Sequence, residues 1–481
     1  MRGMWQARLE NLRYTWRLFR KKRMGVAGLT LVAIFSLMAL LAPLISGYDP
    51  IKSEGLAETI APPSWITLLG WGDLPPNLTI VLDSKMARTS ALTENTGKVR
   101  VENGEALVVR YQGTGTRDVA RILITYPFRY EYEPPKSYTF TMPIVIETPT
   151  PFEPGKGRGV LTSYTINLTR PGGRQFYLAD GAFSRANTTV KVRSEDFTLI
   201  AKNRLGELEN FAATTLSRKG EYRVTVAITF TDLGGSEGSA QVVLKPATLQ
   251  IRGRVFGLLG TDYRGGDVWS QFVWGSRVSL TVGFMVAALV LGLGVPIGLI
   301  AGYRPGWTDR LLMFAADFLY LLPGLPLILL IILVFGRNLY LMVFLISLVS
   351  WSGLARTVRS WTLSLKERPF VESGRVVGLS DITLLFKYIL PQMAPYLMYT
   401  FVTAIPGAVL FEAGLSILGL GDPFQPSWGK MINESLFQGG VIQGAWWWVL
   451  PPIAGLILLS LGFVFIGFTL DEILNPRLRR R

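Results

Sequence analysis

The chain has 481 residues and a formal net charge of +15, with 49% hydrophobic and only 17% charged residues, and its mean hydropathy is +0.32. Soluble domains usually carry about a quarter charged residues, so part of this chain is expected to lie in lipid. The sequence has no Cys and no His, which excludes disulfides, zinc and haem sites built on those ligands, thiol nucleophiles and Ser-His-Asp triads. We therefore expect neither a metal site nor an enzyme active site in this chain.

The first 24 residues are basic and amphipathic, with eight basic residues and one acidic residue. Apolar side chains recur at helical spacing while arginines occupy the other faces. The stripe consists of Trp5, Leu9, Leu12, Trp16 and Phe19. This pattern predicts a cytoplasmic helix over residues 1–24 that lies in the membrane interface. Packing of the stripe against a partner chain is the alternative.

Long apolar stretches predict six transmembrane helices, one near the N-terminus and five within residues 257–471. The predicted spans are 25–45, 278–301, 311–335, 339–354, 394–415 and 447–470. An even number of spans places both termini on one side of the membrane. Basic residues concentrate before the first span, in the loops expected inside and in the tail 472–481, so both termini are predicted to be cytoplasmic. The excess positive charge is therefore a topology signal, and we expect no nucleic-acid partner.

Residues 66–256, between the first and second spans, have a different composition. Apolar and polar residues alternate in Lys98–Tyr111, Ser137–Glu147 and Gly220–Asp232, and such runs, bounded by Pro and Gly clusters, are typical of antiparallel strands. We predict an all-β, sandwich-like domain inserted outside the cell membrane. Three Asn-x-Thr sequons, at Asn77, Asn167 and Asn187, are candidate N-glycosylation sites. Ordinary strand and turn residues are the other interpretation.

A cytoplasmic segment, residues 363–391, has the features of a helix-turn-helix that projects between two spans. Residues 363–377 are helix-permissive, and Gly378 can adopt a positive φ that ends a helix. Ser380 or Asp381 can cap a second helix running to about Ile389. Pro391 then falls near the first turn of the next span, where its missing N–H costs least. This shape suits docking into a groove of a partner protein.

The same segment resembles the EAA loop of ABC importer permeases. Glu372, Gly378, Leu390 and Pro391 match the spacing of that loop, while Ser373 and Gly374 replace its two alanines. Further segments match in order and narrow the resemblance to the second permease subunit of the dipeptide/oligopeptide/nickel type. These segments are 258–283, 301–313, 351–372, 411–421, 426–431 and 471–481. The resemblance covers residues 11–65 and 257–481 and implies a six-helix permease.

The resemblance also implies partners: a homologous second permease, two ATP-binding subunits docked on the EAA loops, and an extracytoplasmic solute-binding protein. The chain has no Gly-x-x-x-x-Gly-Lys-Ser/Thr loop, so ATP and Mg are expected on the partner subunits. Di- and oligopeptides are the expected cargo, with oligosaccharides or nickel chelates as alternatives. Rival classes are a membrane-anchored receptor or adhesion protein and an ion-coupled carrier. Most family members lack the insertion, for which we expect a role in docking the binding protein, with simple bulk or envelope attachment as the alternative.

Two carboxylates fall within predicted spans and are candidates for the pathway or its gating. Asp317 lies in the third span and is expected to reach back toward Arg310, whereas Glu412 lies near the outer end of the fifth, where a structural or gating role is expected. Pro323 and Gly324 interrupt the third span. Their kink either lines the pathway or serves packing alone.

Overall fold

The computed structural model describes residues 16–91, 98–113, 115–148, 159–183, 186–206, 209–234 and 238–474. The chain divides into two compact units, a helical unit of Met1–Glu54 with Gly266–Arg481 and a β unit of Gly55–Gly265. Most of the predicted interfacial helix, residues 1–15, and the end of the basic tail, residues 475–481, lie outside the described residues.

The helical unit contains the predicted spans. Its main helices are α1 (Arg23–Leu40), α2 (Val268–Tyr303), α3 (Trp307–Leu321), α4 (Gly324–Phe335), α5 (Leu339–Lys366), α6 (Pro369–Val376), α7 (Asp381–Ile417), α8 (Trp428–Phe437) and α9 (Trp446–Leu474). A short turn, Ala42–Ile45, follows α1. Among the described residues, α1, α2, α5, α7 and α9 are each long and apolar enough to cross a membrane. The sixth span exists if α3 and α4 are counted together.

The third predicted span, residues 311–335, is broken rather than merely kinked. α3 and α4 meet at an angle of 83°. Leu322 between them is extended, with ψ 137°, and Pro323 caps α4. Proline excludes the preceding residue from the helical region and cannot donate to the helix. The sequence Leu322-Pro323 therefore ends one helix, and the next begins at Gly324.

Close backbone approach holds the central helices together. A Cβ on Gly298 would lie 2.5 Å from the Ala355 carbonyl oxygen of α5, and one on Gly302 would lie 2.7 Å from that of Arg359. Gly28 of α1 meets the Gly462 carbonyl of α9 in the same way, at 2.6 Å. Small residues at four-residue spacing allow membrane helices to pack at van der Waals distance. This packing fixes the end of α2, at Tyr303, beside the segment between α5 and α7.

The β unit is built from two antiparallel sheets, as predicted. Its strands are β1 (Leu78–Leu82), β2 (Arg88–Ala91), β3 (Val99–Asn103), β4 (Leu107–Gln112), β5 (Asp118–Tyr130), β6 (Tyr138–Glu147), β7 (Val160–Thr169), β8 (Gln175–Phe183), β9 (Ala186–Arg193), β10 (Gly220–Asp232), β11 (Ser239–Leu244) and β12 (Ala247–Ile251). One sheet has the order β1-β12-β6-β11-β4-β3, with β9 paired to β6, and the other has the order β2-β5-β10-β7-β8. Short helices Phe197–Lys202 and Phe211–Thr215 follow β9.

Large inward side chains form the core of the β unit. Phe140, Tyr222 and Phe230 are fully buried, and both sheets contribute to one apolar cluster. Strict alternation of buried and partly exposed residues along β6 and β7 puts every second side chain into this core. The alternation read in the sequence is thus confirmed as an all-β sandwich.

The two ends of the β unit are joined by hydrogen bonds. The Gly55 N–H donates to the Arg264 carbonyl at 2.9 Å, and the Ile60 N–H donates to the Asp262 carbonyl at 2.8 Å. The Thr261 hydroxyl accepts from the Ala61 N–H at 2.8 Å. Adjacent chain ends allow a whole domain to be inserted into one loop of a host. The compact unit therefore extends beyond residues 66–256 into both flanking segments.

Candidate functional site

The segment between α5 and α7 forms a compact turn in which glycine is required. Gly378, two residues after the end of α6, has φ +84°, in the left-handed region. The Gly378 N–H donates to the Arg375 carbonyl at 2.9 Å and the Leu379 N–H to the Gly374 carbonyl at 3.0 Å. These two bonds form a Schellman motif. Ser380 caps the next helix, because its Oγ accepts from the Thr383 N–H at 3.4 Å.

A second glycine allows α6 to pack on the start of α7. Gly374 is buried, and a Cβ there would lie 2.7 Å from Cδ2 of Leu384, which is itself fully buried. Val371 of α6 is also fully buried. The side chains of Glu372 and Ser373 are exposed, and Ser373 donates only to the Pro369 carbonyl within the described residues, at 2.8 Å. The small residue is thus needed at position 374, where it faces α7.

Ionic and hydrogen-bonding contacts tie this turn to the end of α2. Asp381 accepts from the Tyr303 hydroxyl at 3.1 Å and from the Arg304 guanidinium at 3.3 Å. The Arg375 guanidinium lies 5.3 Å from the centre of the Tyr303 ring, within cation-π range. The sequence analysis did not identify Tyr303 or Arg304 as site residues. The matched segment 301–313 contains both residues, but their partner is distant in the sequence.

The helix after the turn runs without a break into the membrane span, and it changes from π-helical to α-helical after Ile389, where the second helix was predicted to end. α7 runs from Asp381 through a π-helical stretch, Leu384–Ile389, into the membrane span. The Leu390 N–H bonds to the Leu385 carbonyl, five residues back. Pro391 follows at once, and a wider turn accommodates a residue that cannot donate to the carbonyl four residues back. Leu390 and Pro391 therefore begin the α-helical part of α7, as predicted for Pro391, and this part continues the helix that starts at Asp381.

The tip of the turn exposes apolar side chains. Val376, Val377 and Ile382 are 87%, 79% and 70% exposed. We name residues 369–386, which comprise α6, the turn after it and the start of α7, the coupling element. Apolar residues concentrated on a projecting turn indicate a contact surface for another protein.

Two ion pairs join α3 to α5 near the coupling element. Arg359 binds Asp309 through both ends of its guanidinium, at 2.6 and 2.7 Å. Arg356 lies 3.5 Å from Asp317 and stacks over the Tyr320 ring. The expectation that Asp317 reaches toward Arg310 was wrong, because α5 passes beside α3 and presents its own arginine there.

A groove of about 440 Å³ lies between α2, α5 and α7. Its lining is mainly apolar, its polar side chains all carry hydroxyls, and none of its lining residues is charged. The lining includes Ser350, Gly353, Thr357, Tyr396, Thr400 and Gly407. The four sequence candidates for the pathway, Asp317, Pro323, Gly324 and Glu412, are not among the residues that line it.

Glu412 is instead buried between α7 and α8, with 1% of its surface exposed. Its Oε1 accepts from the Ser416 hydroxyl at 2.6 Å. Ser416 lies 3.5 Å from Ser427, which caps α8. Gly429 of α8 approaches so closely that a Cβ would lie 2.6 Å from the Ala413 Cα. Glu412 thus belongs to a polar contact that holds α8 against α7.

The three sequons of the β unit differ in their surroundings. The Asn77 side chain donates to the Leu56 carbonyl at 2.6 Å and accepts from the Gly253 N–H at 2.7 Å. Asn167 is half-buried in β7, and Asn187 is exposed in β9. Asn77 therefore has a structural role, linking the segments of Leu56 and Gly253, although its side chain is exposed like that of Asn187.

Comparison with known proteins places the helical unit among transport proteins. A family described as "Binding-protein-dependent transport system inner membrane component" matches residues 294–480. A second family, "N-terminal TM domain of oligopeptide transport permease C", matches residues 11–63. Residues 64–293 lie between the two matches.

Individual relatives match a little under half of the chain. The glutathione transport system permease protein GsiD of Pectobacterium atrosepticum is 34% identical over 222 residues, which are 46% of this chain and 73% of that protein. The oligopeptide transport system permease protein OppC of Haemophilus influenzae is 36% identical over 220 residues, 45% of this chain and 70% of that protein. An inward-facing MetNI methionine ABC transporter structure aligns with 44% of this chain and 97% of its own, at 20% identity and a TM-score of 0.35.

Proposed function

Since the chain belongs to the family of binding-protein-dependent transport system inner membrane components, as a permease of the dipeptide/oligopeptide type, we propose that it forms half of an import pathway for di- and oligopeptides. In this proposal a homologous permease supplies the other half. A solute-binding protein delivers the peptide from outside, and two ATP-binding subunits hold ATP and Mg in the cytoplasm. Both termini are cytoplasmic, and the β unit lies outside.

The coupling element is the observation that carries the proposal. Its turn is held rigidly by the Schellman motif at Gly378 and by the contacts of Asp381 with Tyr303 and Arg304. Its apolar tip is available to an ATP-binding subunit. Because α7 is continuous from Asp381 into the membrane, a displacement of the tip moves the whole span.

The groove between α2, α5 and α7 supports a role in conducting peptides. Its wall is uncharged and mainly apolar, and the hydroxyls of Ser350, Thr357, Tyr396 and Thr400 can exchange hydrogen bonds with the amide groups of a peptide, whatever its side chains. α7 connects this wall directly to the coupling element. The proposed cycle is alternating access, in which ATP binding closes the ATP-binding subunits, α7 moves and the pathway opens to the binding protein.

A pair of glycine variants tests this function. Gly378 and Gly70 both have φ +84° and open space around the Cβ position, so Gly378→Val and Gly70→Val introduce similar backbone strain. Only Gly378 lies in the coupling element. We expect Gly378→Val to abolish ATP-driven peptide uptake by the complete transporter in proteoliposomes, whereas Gly70→Val retains most of it. Equal uptake by both variants would contradict the proposed role.

A further inference from the structure

The outer face of the larger sheet of the β unit carries polar side chains in register across four strands. Thr79 of β1 pairs with Gln250 of β12, which pairs with Thr139 of β6. Thr139 in turn pairs with Arg193 of β9. Their neighbours along the strands, such as Tyr138 and Ile251, point into the core. The row therefore presents hydroxyl, amide and guanidinium groups across the face.

A second row runs beside the first, and a cavity lies over this part of the face. Thr248 of β12 pairs with Thr141 of β6, and Thr141 pairs with Lys191 of β9. The cavity has a volume of about 450 Å³. Its lining contains residues of the first row, Lys191 of the second row, and Arg252 after β12. The lining includes Thr79, Thr139, Lys191, Arg193, Gln250 and Arg252. We name it the sheet-face cleft.

The sheet-face cleft has a surplus of positive charge. Its lining contains Lys191, Arg193 and Arg252, with Glu195 as the one acidic member. In the part of the β unit that the structure describes, these three cations make no ion pair. Of the nearby acids, Asp196 caps a helix. Glu58 is buried and accepts a hydrogen bond from the Ser137 hydroxyl.

A second cleft in the β unit has no such surplus of positive charge. It has a volume of about 580 Å³, and its cations are Arg129 and Lys219. Arg129 pairs with Glu131 and Lys219 pairs with Asp73. The charges of this second site, the paired cleft, are thus neutralised by the protein itself. The cations of the sheet-face cleft remain available for an external anion.

The middle of the cleft, over β6 and β12, offers side chains rather than free backbone groups. The N–H and C=O groups of β6 and β12 beneath it are engaged in the sheet, since β12 pairs with both β1 and β6, and β6 also pairs with β9. An extended polypeptide is recognised best where an open strand edge supplies backbone hydrogen bonds. A ligand that covers the face of the sheet must instead match hydroxyl, amide and cationic side chains.

From this arrangement we propose that the sheet-face cleft binds an acidic polysaccharide. Sugar hydroxyls exchange hydrogen bonds with Thr79, Thr139 and Gln250, and carboxylates of the sugar acids bind Lys191, Arg193 and Arg252. Charge-assisted hydrogen bonds to carboxylates are the stronger contacts. Such a site would attach the β unit to an acidic polymer, and it does not depend on the proposed transport function.

Binding of a galacturonate oligomer to the full chain, held in nanodiscs of neutral lipid, tests the proposal. Calorimetric titration is expected to show saturable binding that weakens as salt is added. The double variant Lys191→Ala/Arg193→Ala is expected to bind about tenfold more weakly, because two charged contacts are lost. The matched control, Arg129→Ala/Lys219→Ala in the paired cleft, removes the same number of cations and should change the affinity less than about twofold.

Two further ligands decide the class of polymer. A neutral galactose oligomer should bind far more weakly than the galacturonate oligomer, because it has no carboxylates. Poly-L-glutamate should also bind weakly, because its backbone finds no partner on the face of the sheet. The proposal is overturned if the galacturonate oligomer does not bind, if poly-L-glutamate binds more tightly, or if both double variants lose affinity equally. An unchanged melting temperature of the β unit in each variant confirms that folding is intact.

Discussion

The internal packing of the helical unit differs from that of the β unit. In the helical unit, α2 and α5 approach until backbone meets backbone, at Gly298 and Gly302. In the β unit, two sheets enclose large aromatic side chains such as Phe230 and Tyr222. In lipid the hydrophobic effect does not drive helix association, so membrane helices depend on close van der Waals packing. A domain in water is stabilised mainly by the burial of apolar side chains. Opposite changes in side-chain size should therefore damage the two units.

Truncation of a core aromatic in the β unit is expected to have the largest effect. Phe230 is fully buried and stacks on Tyr111 with ring centres 5.2 Å apart. Phe230→Ala should destabilise the β unit by about 4 kcal/mol, from lost burial and the cavity left behind. Thermal unfolding followed by tyrosine fluorescence measures this loss. Assembly of the helical unit with its partners should be unchanged, and joint loss of both would contradict independent folding.

Enlargement of a glycine in the helical unit gives the converse test. Gly298→Leu should destabilise the α2–α5 contact by about 3 kcal/mol, because the new side chain meets the backbone of α5. Gly292 lies on the same helix, with open space at its Cβ position, so Gly292→Leu is the matched control. Resistance to detergent-induced unfolding distinguishes the variants. Equal stability of the two variants would show that backbone approach does not hold these helices.

The buried carboxyl between α7 and α8 should have a smaller effect on stability. Glu412→Gln keeps a hydrogen-bonding group for Ser416, whereas Glu412→Ala leaves the serine without its partner. We expect Glu412→Ala to cost about 2 kcal/mol and Glu412→Gln to cost less than about 1 kcal/mol. Measured unfolding free energies that rank the two variants in reverse would show that the carboxyl is not a structural contact.

The smallest expected effect concerns the ion pair that anchors the coupling element. Asp381→Asn retains an acceptor for the Tyr303 hydroxyl but removes the charge beside Arg304. Because that pair is about half exposed, the stability cost should be below about 1 kcal/mol. Uptake per ATP hydrolysed should nevertheless fall, since the turn is less firmly held. Unchanged coupling in proteoliposomes would indicate that the Schellman motif alone positions the turn.

Local signals were sufficient wherever one segment determines its own structure. Alternation predicted the strands around Gly220–Asp232, and Gly378 and Ser380 occupy the turn and cap positions expected of them. Pro391 lies in the first turn of the α-helical part of α7, as expected, but the π-helical stretch that joins this part to Asp381 was not predicted. The contacts of Asp381 with Tyr303 and of Asp317 with Arg356 required knowledge of which helices lie side by side. Such pairs depend on tertiary packing, which no local pattern contains.

The role of the coupling element as the docking surface for an ATP-binding subunit can be tested directly, because the chain has no native cysteine. Val377→Cys places a unique thiol at the exposed tip, and Asn187→Cys places one on the β unit as a control. A short thiol-reactive cross-linker should join Val377→Cys to an ATP-binding subunit in the assembled transporter, and ATP should change the yield. Asn187→Cys should give no such product. Absence of the Val377→Cys product in an active transporter, or equal cross-linking at both positions, would contradict the account.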